Sequence, residues 1–199
     1  MFYEPDIAVI GGGPAGLMAA LTAAEVGAKV LLLERDGHLG GQLVKQTHKF
    51  FGSEKQHASV RGIAIAKLLE NELHDLQDRV SLWQDATAIG LYEDGVLTVD
   101  HGGVYKKIRP KKIIAATGAN EKYLLFPNND LPGIYGAGAV QTMMNVHGVK
   151  PGHRVLMIGA GNIGLIVSYQ LMQAGVEVAA IVEGLPTIGG YVVHASKIR

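Results

Sequence analysis

Apolar residues fall into two periods along this chain, and the change from one to the other lays out its elements. Asp6 to Ile10 is a short apolar run that ends in glycines, an alanine-rich stretch follows from Pro14 to Val26, and a second apolar run covers Lys29 to Leu33. That order predicts strand, helix, strand. Both strands are apolar at consecutive positions, which predicts parallel strands buried on both faces by helices. Residues 35–57 hold Gly37, Gly40, Gly41 and Gly52 among polar residues and predict a long loop, a feature that compact domains usually keep for function. From Ala58 to Leu76 the residues Val60, Ile63, Ala64, Leu68 and Leu69 recur at helical spacing, with Glu70, Glu72 and Asp75 available to the polar side.

Between Val80 and Ile108 the period shortens. Turn signals at Glu93-Asp94-Gly95 and His101-Gly102-Gly103 separate short strands, which predicts a β-meander. Lys112 to Ala116 reads as another buried strand, closed by Thr117-Gly118. The stretch from Asn120 to Pro132 carries Pro127, Asn128, Asn129, Asp130 and Pro132 and reads as a crossing segment, followed by a helix around Ala137 to Val146. At Arg154 the opening pattern returns: strand Val155 to Ile158, glycines, helix Asn162 to Ala174, strand Val178 to Val182. The chain contains an internal duplication.

Composition narrows the chemistry. Lys plus Arg and Asp plus Glu stand at 18 each in 199 residues, so no basic excess points to nucleic acid or to an anionic membrane. No apolar run is long enough for a transmembrane helix and the start lacks a signal-peptide profile, from which a cytoplasmic location is expected. Cysteine is absent, which excludes disulfides, thiolate metal sites and a redox dithiol within this chain. His147, His153 and His194 lack metal-site spacing, so no metal is expected. Redox chemistry here would need a bound cofactor.

The 27 glycines, nearly double the usual share of about 7%, concentrate where they matter. Gly11, Gly13 and Gly16 form a Gly-x-Gly-x-x-Gly set between the first strand and its helix, with Pro14 and Ala15 opening the helix. The first glycine permits a tight turn, the second lets a diphosphate approach the backbone, and the third lets helix and strand pack closely. The helix start then offers N–H groups and partial positive charge to the phosphates. Glu34, followed by Arg35, ends the second strand twenty-three residues beyond Gly11, where a carboxylate can accept ribose hydroxyls. A turn that merely packs would need strand, glycines, helix and acid to fall in this order by coincidence.

With these residues in place, the chain resembles the flavoproteins with two dinucleotide-binding domains, the thioredoxin reductase-like enzymes. The resemblance rests on Gly11 to Gly16 with Glu34, on Gly40-Gly41-Gln42-Leu43, on Ala116-Thr117-Gly118 and on a second glycine set. The stretches Leu39 to Gly52 and Leu131 to Asn145 look most like subunits of amine and amino-acid dehydrogenases such as sarcosine oxidase, opine oxidase and hydrogen cyanide synthase. The resemblance implies FAD, with Gly41, Gln42, Leu43 and Thr47 lining the flavin, the backbone near Ala86 meeting the adenine, and Thr117 and Gly118 closing over the cofactor. From residues alone, Gly40-Gly41 reads equally well as an ordinary turn. His48 and Lys49 lie in the same loop and could polarise a substrate or flavin oxygen, but a solvated loop is the preferred reading of both, because the sequence places no partner beside them.

The second set, Gly159, Gly161 and Gly164, with Asn162 and Ile163 at the helix start, implies a second nucleotide, most simply NAD. Its acid departs from the first copy: Val182 occupies the place of Glu34, and Glu183 lies one residue later, which in a strand reverses the side-chain direction. The spacing from Glu183 to Gly189-Gly190 repeats that from Glu34 to Gly40-Gly41, so Glu183 is taken as the equivalent, after a bulge or a longer turn. A unit of this shape that binds no second nucleotide stays open.

The expected fold is therefore α/β: a Rossmann-like FAD-binding domain with parallel sheet and β-meander over 1–118, a linker over 119–152, and an incomplete second Rossmann-like NAD-binding unit over 153–199. The implied reaction is hydride or electron transfer between an amine, an amino acid or NADH and an acceptor, with a small-molecule substrate and a partner subunit or second copy. A non-catalytic subunit holding FAD, ADP or ATP is the competing expectation. The resemblance further implies a returning segment that completes the flavin site, and without it weakened FAD affinity is expected.

Overall fold

The computed structural model describes residues 2–49 and 52–198; Phe50 and Phe51 of the long loop lie outside the described residues, as do Met1 and Arg199. The chain divides into two compact units, Met1–Ala119 and Asn120–Arg199.

In the first unit, strands β1 (Ile7–Ile10), β2 (Val30–Leu33), β3 (Val80–Trp83) and β7 (Lys112–Ala115) form one parallel sheet in the order β3-β2-β1-β7. Strands β4 (Ala86–Leu91), β5 (Leu97–His101) and β6 (Val104–Ile108) form an antiparallel meander. The parallel sheet explains the unbroken apolar runs, because alternate residues leave opposite faces. Val9, Val30 and Leu32 pack with Leu17, Ala20, Leu21 and Ala24 of helix α1 (Pro14–Glu25) and with Ile65, Leu69 and Leu73 of helix α2 (Gly62–Asp75). Ala8, Leu31 and Leu33 pack instead with Ala86, Leu97, Val99 and Ile108 of the meander. The expectation of helices on both faces is thus corrected: helices cover one face and the meander the other. A second correction concerns Val80–Trp83, which turn spacing makes the first meander strand. It pairs parallel with β2, from Val30↔Val80 to Leu33↔Trp83.

Two local differences have backbone causes. The long loop contains two short 3-10 turns, Gly41–Lys45 and Glu54–Gln56. The helix expected from Ala58 starts at Gly62, because His57 and Ser59 adopt positive φ, 62° and 70°, and turn the chain before it can wind.

In the second unit, β8 (Arg154–Ile158) and β9 (Glu177–Val182) pair in parallel, joined by helix α4 (Asn162–Gln173). Helix α3 (Ala137–Asn145) lies within the segment expected to be a linker, and its Val140 and Met144 pack against the buried Val167 and Leu171 of α4 and Val176. A short final helix α5 spans Val192–Ala195. Among the described residues no helix is long and apolar enough to cross a membrane, and no cluster of His, Asp and Glu could hold a metal ion.

Candidate nucleotide site

The first glycine loop is built from backbone contacts that leave no room for side chains at two positions and leave open room at a third. Gly11 turns the chain at φ 107°, and a Cβ there would lie 2.4 Å from the Ala116 carbonyl oxygen. A Cβ on Gly16 would lie 1.8 Å from the Gly11 carbonyl oxygen, so the start of α1 sits directly against the end of β1. At Gly13, the residue preceding the helix, a Cβ would meet only the Gly41 Cα, at 3.8 Å. That is the gap a diphosphate needs, facing the first-turn N–H groups, Ala15 among them, that an α-helix cannot bond internally. Pro14 at the first helical position forfeits an N–H that had no helical partner.

Glu34 directly follows β2 and is only 8% exposed. Its Oε2 accepts the Gly12 N–H at 2.7 Å and its Oε1 accepts the Asp36 N–H at 2.8 Å. A carboxylate offers about four lone-pair sites, so acceptor capacity for ribose hydroxyls remains. The backbone around it is equally engaged: the Ala86 N–H donates to the Glu34 carbonyl at 2.8 Å, which sets Ala86 beside the acid while its methyl is buried in the core. Arg35 points to solvent, 3.7 Å from Asp36.

The Gly40-Gly41 pair is not a free turn. The Gly40 N–H donates to the Gly12 carbonyl at 2.8 Å, and a Cβ on Gly41 would come within 2.9 Å of the Gly13 Cα. Gln42 is exposed, Leu43 is buried in the helix-side core, and the Thr47 carbonyl accepts from the Arg61 guanidinium. Lys49 bridges the backbone of Arg61, next to His48. Thr117 and Gly118 follow β7 on the other flank: the Ala116 N–H donates to the Ile10 carbonyl at 2.8 Å, and the Thr117 Cα lies 3.3 Å from where a Gly11 Cβ would be. Gly118, at φ 76°, has open space around it.

The second unit repeats this construction. Gly159 turns at φ 102°, its N–H donating to the Val182 carbonyl at 2.7 Å as the Gly11 N–H donates to Leu33 at 2.8 Å. A Cβ on Gly164 would lie 2.1 Å from the Gly159 carbonyl oxygen, and one on Gly161 would meet nothing within 4 Å. Ile163 is largely exposed on the first turn. The displaced acid is accommodated by a shift of register between Val155↔Val178 and Leu156↔Ala180, which leaves Ala179 as the extra residue. Glu183 consequently bonds the loop as Glu34 does: Oε2 accepts the Ala160 N–H at 2.7 Å, while Oε1 accepts those of Gly184 at 2.8 Å and Leu185 at 3.2 Å. These backbone donors, Ala160 first, hold the Glu183 carboxyl below its ordinary pKa.

Three contributing residues are not among the six motif glycines. Gly12 and Ala160, the middle positions of the two sets, supply the N–H that each acid holds, and Leu39, 6% exposed, packs on Gly12. Their common signal is the paired distance from acid to loop, 22 residues in one copy and 23 in the other.

Comparison with known proteins gives this geometry a context. The model of the family described as pyridine nucleotide-disulphide oxidoreductase matches residues 5–197. The chain is 33% identical to the alpha subunit of sarcosine oxidase from Rhizobium meliloti (strain 1021), over 92% of this chain and 19% of that one. It is 31% identical to an opine oxidase subunit from Agrobacterium tumefaciens (strain Ach5), over 88% of this chain and 35% of that one. Among solved structures it is similar to L-proline dehydrogenase from P. horikoshii, with TM-score 0.75 and 29% identity over 92% of this chain and 36% of that one. Thioredoxin reductase of Lactococcus lactis shares the fold, with TM-score 0.71 and 23% identity over 97% of this chain and 60% of that one. The chain spans 19% of the first of these curated relatives and 35% of the second.

Proposed function

From the premise that the chain belongs to the pyridine nucleotide-disulphide oxidoreductase family, we propose that it is the nucleotide-binding part of an FAD-dependent oxidoreductase acting on an amine or amino acid. The observation that carries this reading is the open backbone at Gly13 beside the loop-bound carboxylate of Glu34. A diphosphate fits the first, and a ribose with free hydroxyls fits the second. The similarity to proteins named for sarcosine and opine oxidation supports the substrate class. That these relatives work as subunits supports a partner chain for this one.

Bound FAD supplies hydride or electron acceptance; the protein supplies position and electrostatics. Gly11, Gly13 and Gly16 bring the start of α1 close to the diphosphate, Glu34 takes the adenosine ribose, and Thr117 and Gly118 border the same loop at the end of β7. Gly41, Gln42, Leu43 and Thr47 are the residues that the resemblance assigns to the flavin side. Gly159, Gly161, Asn162, Ile163 and Glu183 hold a second nucleotide, NAD, where the Glu183 carboxylate repels a 2′-phosphate. With no cysteine in the sequence, no residue of this chain takes part in thiol–disulfide exchange.

The test is to saturate the purified protein with FAD, remove excess, denature, and record the spectrum of what is released. A visible flavin band in the released ligand, lost in Gly13→Val, is the expected result. Release of an adenine nucleotide without flavin would overturn the enzyme reading in favour of a non-catalytic nucleotide-binding role.

A further inference from the structure

We infer that the side chain of Asn162 serves the second glycine loop in two ways at once, clipping a neighbouring segment onto the loop with its oxygen and presenting its amide NH2 to a diphosphate. The inference rests on the reading of that loop as a nucleotide site. The Tyr191 N–H donates to the Asn162 Oδ1 at 2.8 Å. A backbone N–H needs an acceptor, so this contact fixes which end of the carboxamide is oxygen. The NH2 end keeps two donors with no hydrogen-bond partner among the described residues.

The surroundings say where those donors are useful. The Gly190 N–H donates to the Ala160 carbonyl at 3.0 Å, so residues 190 and 191 are fastened to the loop on both sides of Gly161. Gly161 itself faces open space. The clip therefore holds the rim and leaves the middle clear. In the first copy the equivalent helical position is Pro14, which has neither a side-chain acceptor nor an N–H, and there the Gly40 N–H to Gly12 carbonyl bond stands without such a clip. The second copy thus carries donors at the helix start, the Asn162 N–H and NH2, that the first copy lacks. Charge-assisted hydrogen bonds to phosphate are the strong ones, which is why three extra donors matter at this position.

The experiment titrates ADP, and separately adenosine, into FAD-saturated protein by calorimetry, so that the first cradle is already filled. Asn162→Asp keeps an oxygen for the Tyr191 N–H and suits a first helical turn, but replaces the donors with a negative charge facing the diphosphate. ADP affinity should fall about tenfold or more, while adenosine, which has no phosphate, stays within about twofold. Asn162→Ala should also weaken ADP and, unlike the Asp variant, speed hydrogen exchange at the Tyr191 amide. Equal ADP affinity in the wild type and Asn162→Asp would overturn the donor role while leaving the second site standing. Unchanged Tyr191 exchange in Asn162→Ala would overturn the clip. Absence of any ADP binding to the wild type removes the nucleotide reading of this loop, and the donor role with it.

Discussion

A single methyl group at Gly12 probes how closely the first loop is fitted. A Cβ there would lie 2.5 Å from the Leu39 Cδ2, 2.9 Å from the Glu34 Oε2 and 3.2 Å from the Glu34 Cβ. Carbon contacts are comfortable only from about 3.5 Å, so both neighbours must move. Displacing packed Leu39 costs about 1–3 kcal/mol as overpacking. Moving the carboxylate off the Gly12 N–H forfeits a charged hydrogen bond of about 1.5–3 kcal/mol. Gly12→Ala should therefore destabilise the first unit by about 2.5–6 kcal/mol. Urea unfolding followed by Trp83 fluorescence reads this directly, because the only tryptophan in the sequence pairs with Leu33, next to Glu34. Leu39→Ala alone should cost about 2–5 kcal/mol. In the double variant the new methyl enters the vacated space, so the combined loss should fall short of the sum by at least about 1 kcal/mol. Strict additivity would refute the argument. The second loop offers the control: Ala160 already carries the methyl, and Ile188, five residues after Glu183 as Leu39 is after Glu34, is 57% exposed. Ala160→Gly should therefore relieve no clash and cost the backbone entropy of glycine, about 0.5–1 kcal/mol, together with about 0.8 kcal/mol for the lost burial of a methyl that is 3% exposed.

Three further outcomes follow from the same geometry. Gly13→Val should leave the unfolding midpoint nearly unchanged but abolish FAD retention, because a Cβ there would meet only the Gly41 Cα, at 3.8 Å, and a branched side chain takes the diphosphate's space; retention of FAD at wild-type stoichiometry would refute it. Gly16→Ala should do the reverse, lowering stability by more than about 3 kcal/mol in urea titration, because its methyl would meet the Gly11 carbonyl oxygen at 1.8 Å and backbone cannot yield as a side chain can. Glu183 should contribute stability that is complete above its ordinary value of 4.5 and lost as pH falls through its lowered folded value, since the folded chain then binds fewer protons than the unfolded one; the difference in melting temperature between wild type and Glu183→Gln should accordingly shrink on acidification from pH 7 to about pH 3.

How much of this is legible in the sequence depends on whether a feature is local. The glycine sets and the strands flanking them are read from spacing, because the turn and the close approach are local requirements, and Glu34 is read from its place directly after the second apolar run. The meander's role as the cover of one sheet face is not legible, because an apolar run such as Val30–Leu33 looks the same whichever element buries it. Sequence neighbours place Val80–Trp83 in the meander, and only its pairing with β2 shows that it belongs to the parallel sheet. Helix α2 begins late for a reason no periodicity carries, the positive φ at His57 and Ser59. Gly40-Gly41 reads as a turn in the sequence; its contact with Gly12 and Gly13 depends on tertiary folding across 28 residues.

The internal duplication turns one of these geometries into a controlled comparison. In both copies the acid at the end of the second strand accepts the N–H of the middle loop residue, at 2.7 Å in each case, although one copy has an extra strand residue. A bulge at Ala179 absorbs that residue and restores the side-chain direction. An insertion that merely lengthened a strand would have turned the acid away, so the bond between acid and loop is the feature that the surrounding backbone accommodates. The two copies differ around that bond: Leu39 packs down on Gly12 and Pro14 opens the helix in the first, while Ile188 stays exposed and Asn162 supplies a side-chain clip in the second. Beyond the hydrogen bonds that both loops share, one copy adds apolar packing and the other a side-chain hydrogen bond, so Leu39→Ala, read by urea titration, and Asn162→Ala, read by hydrogen exchange, should each loosen only the loop to which that residue belongs.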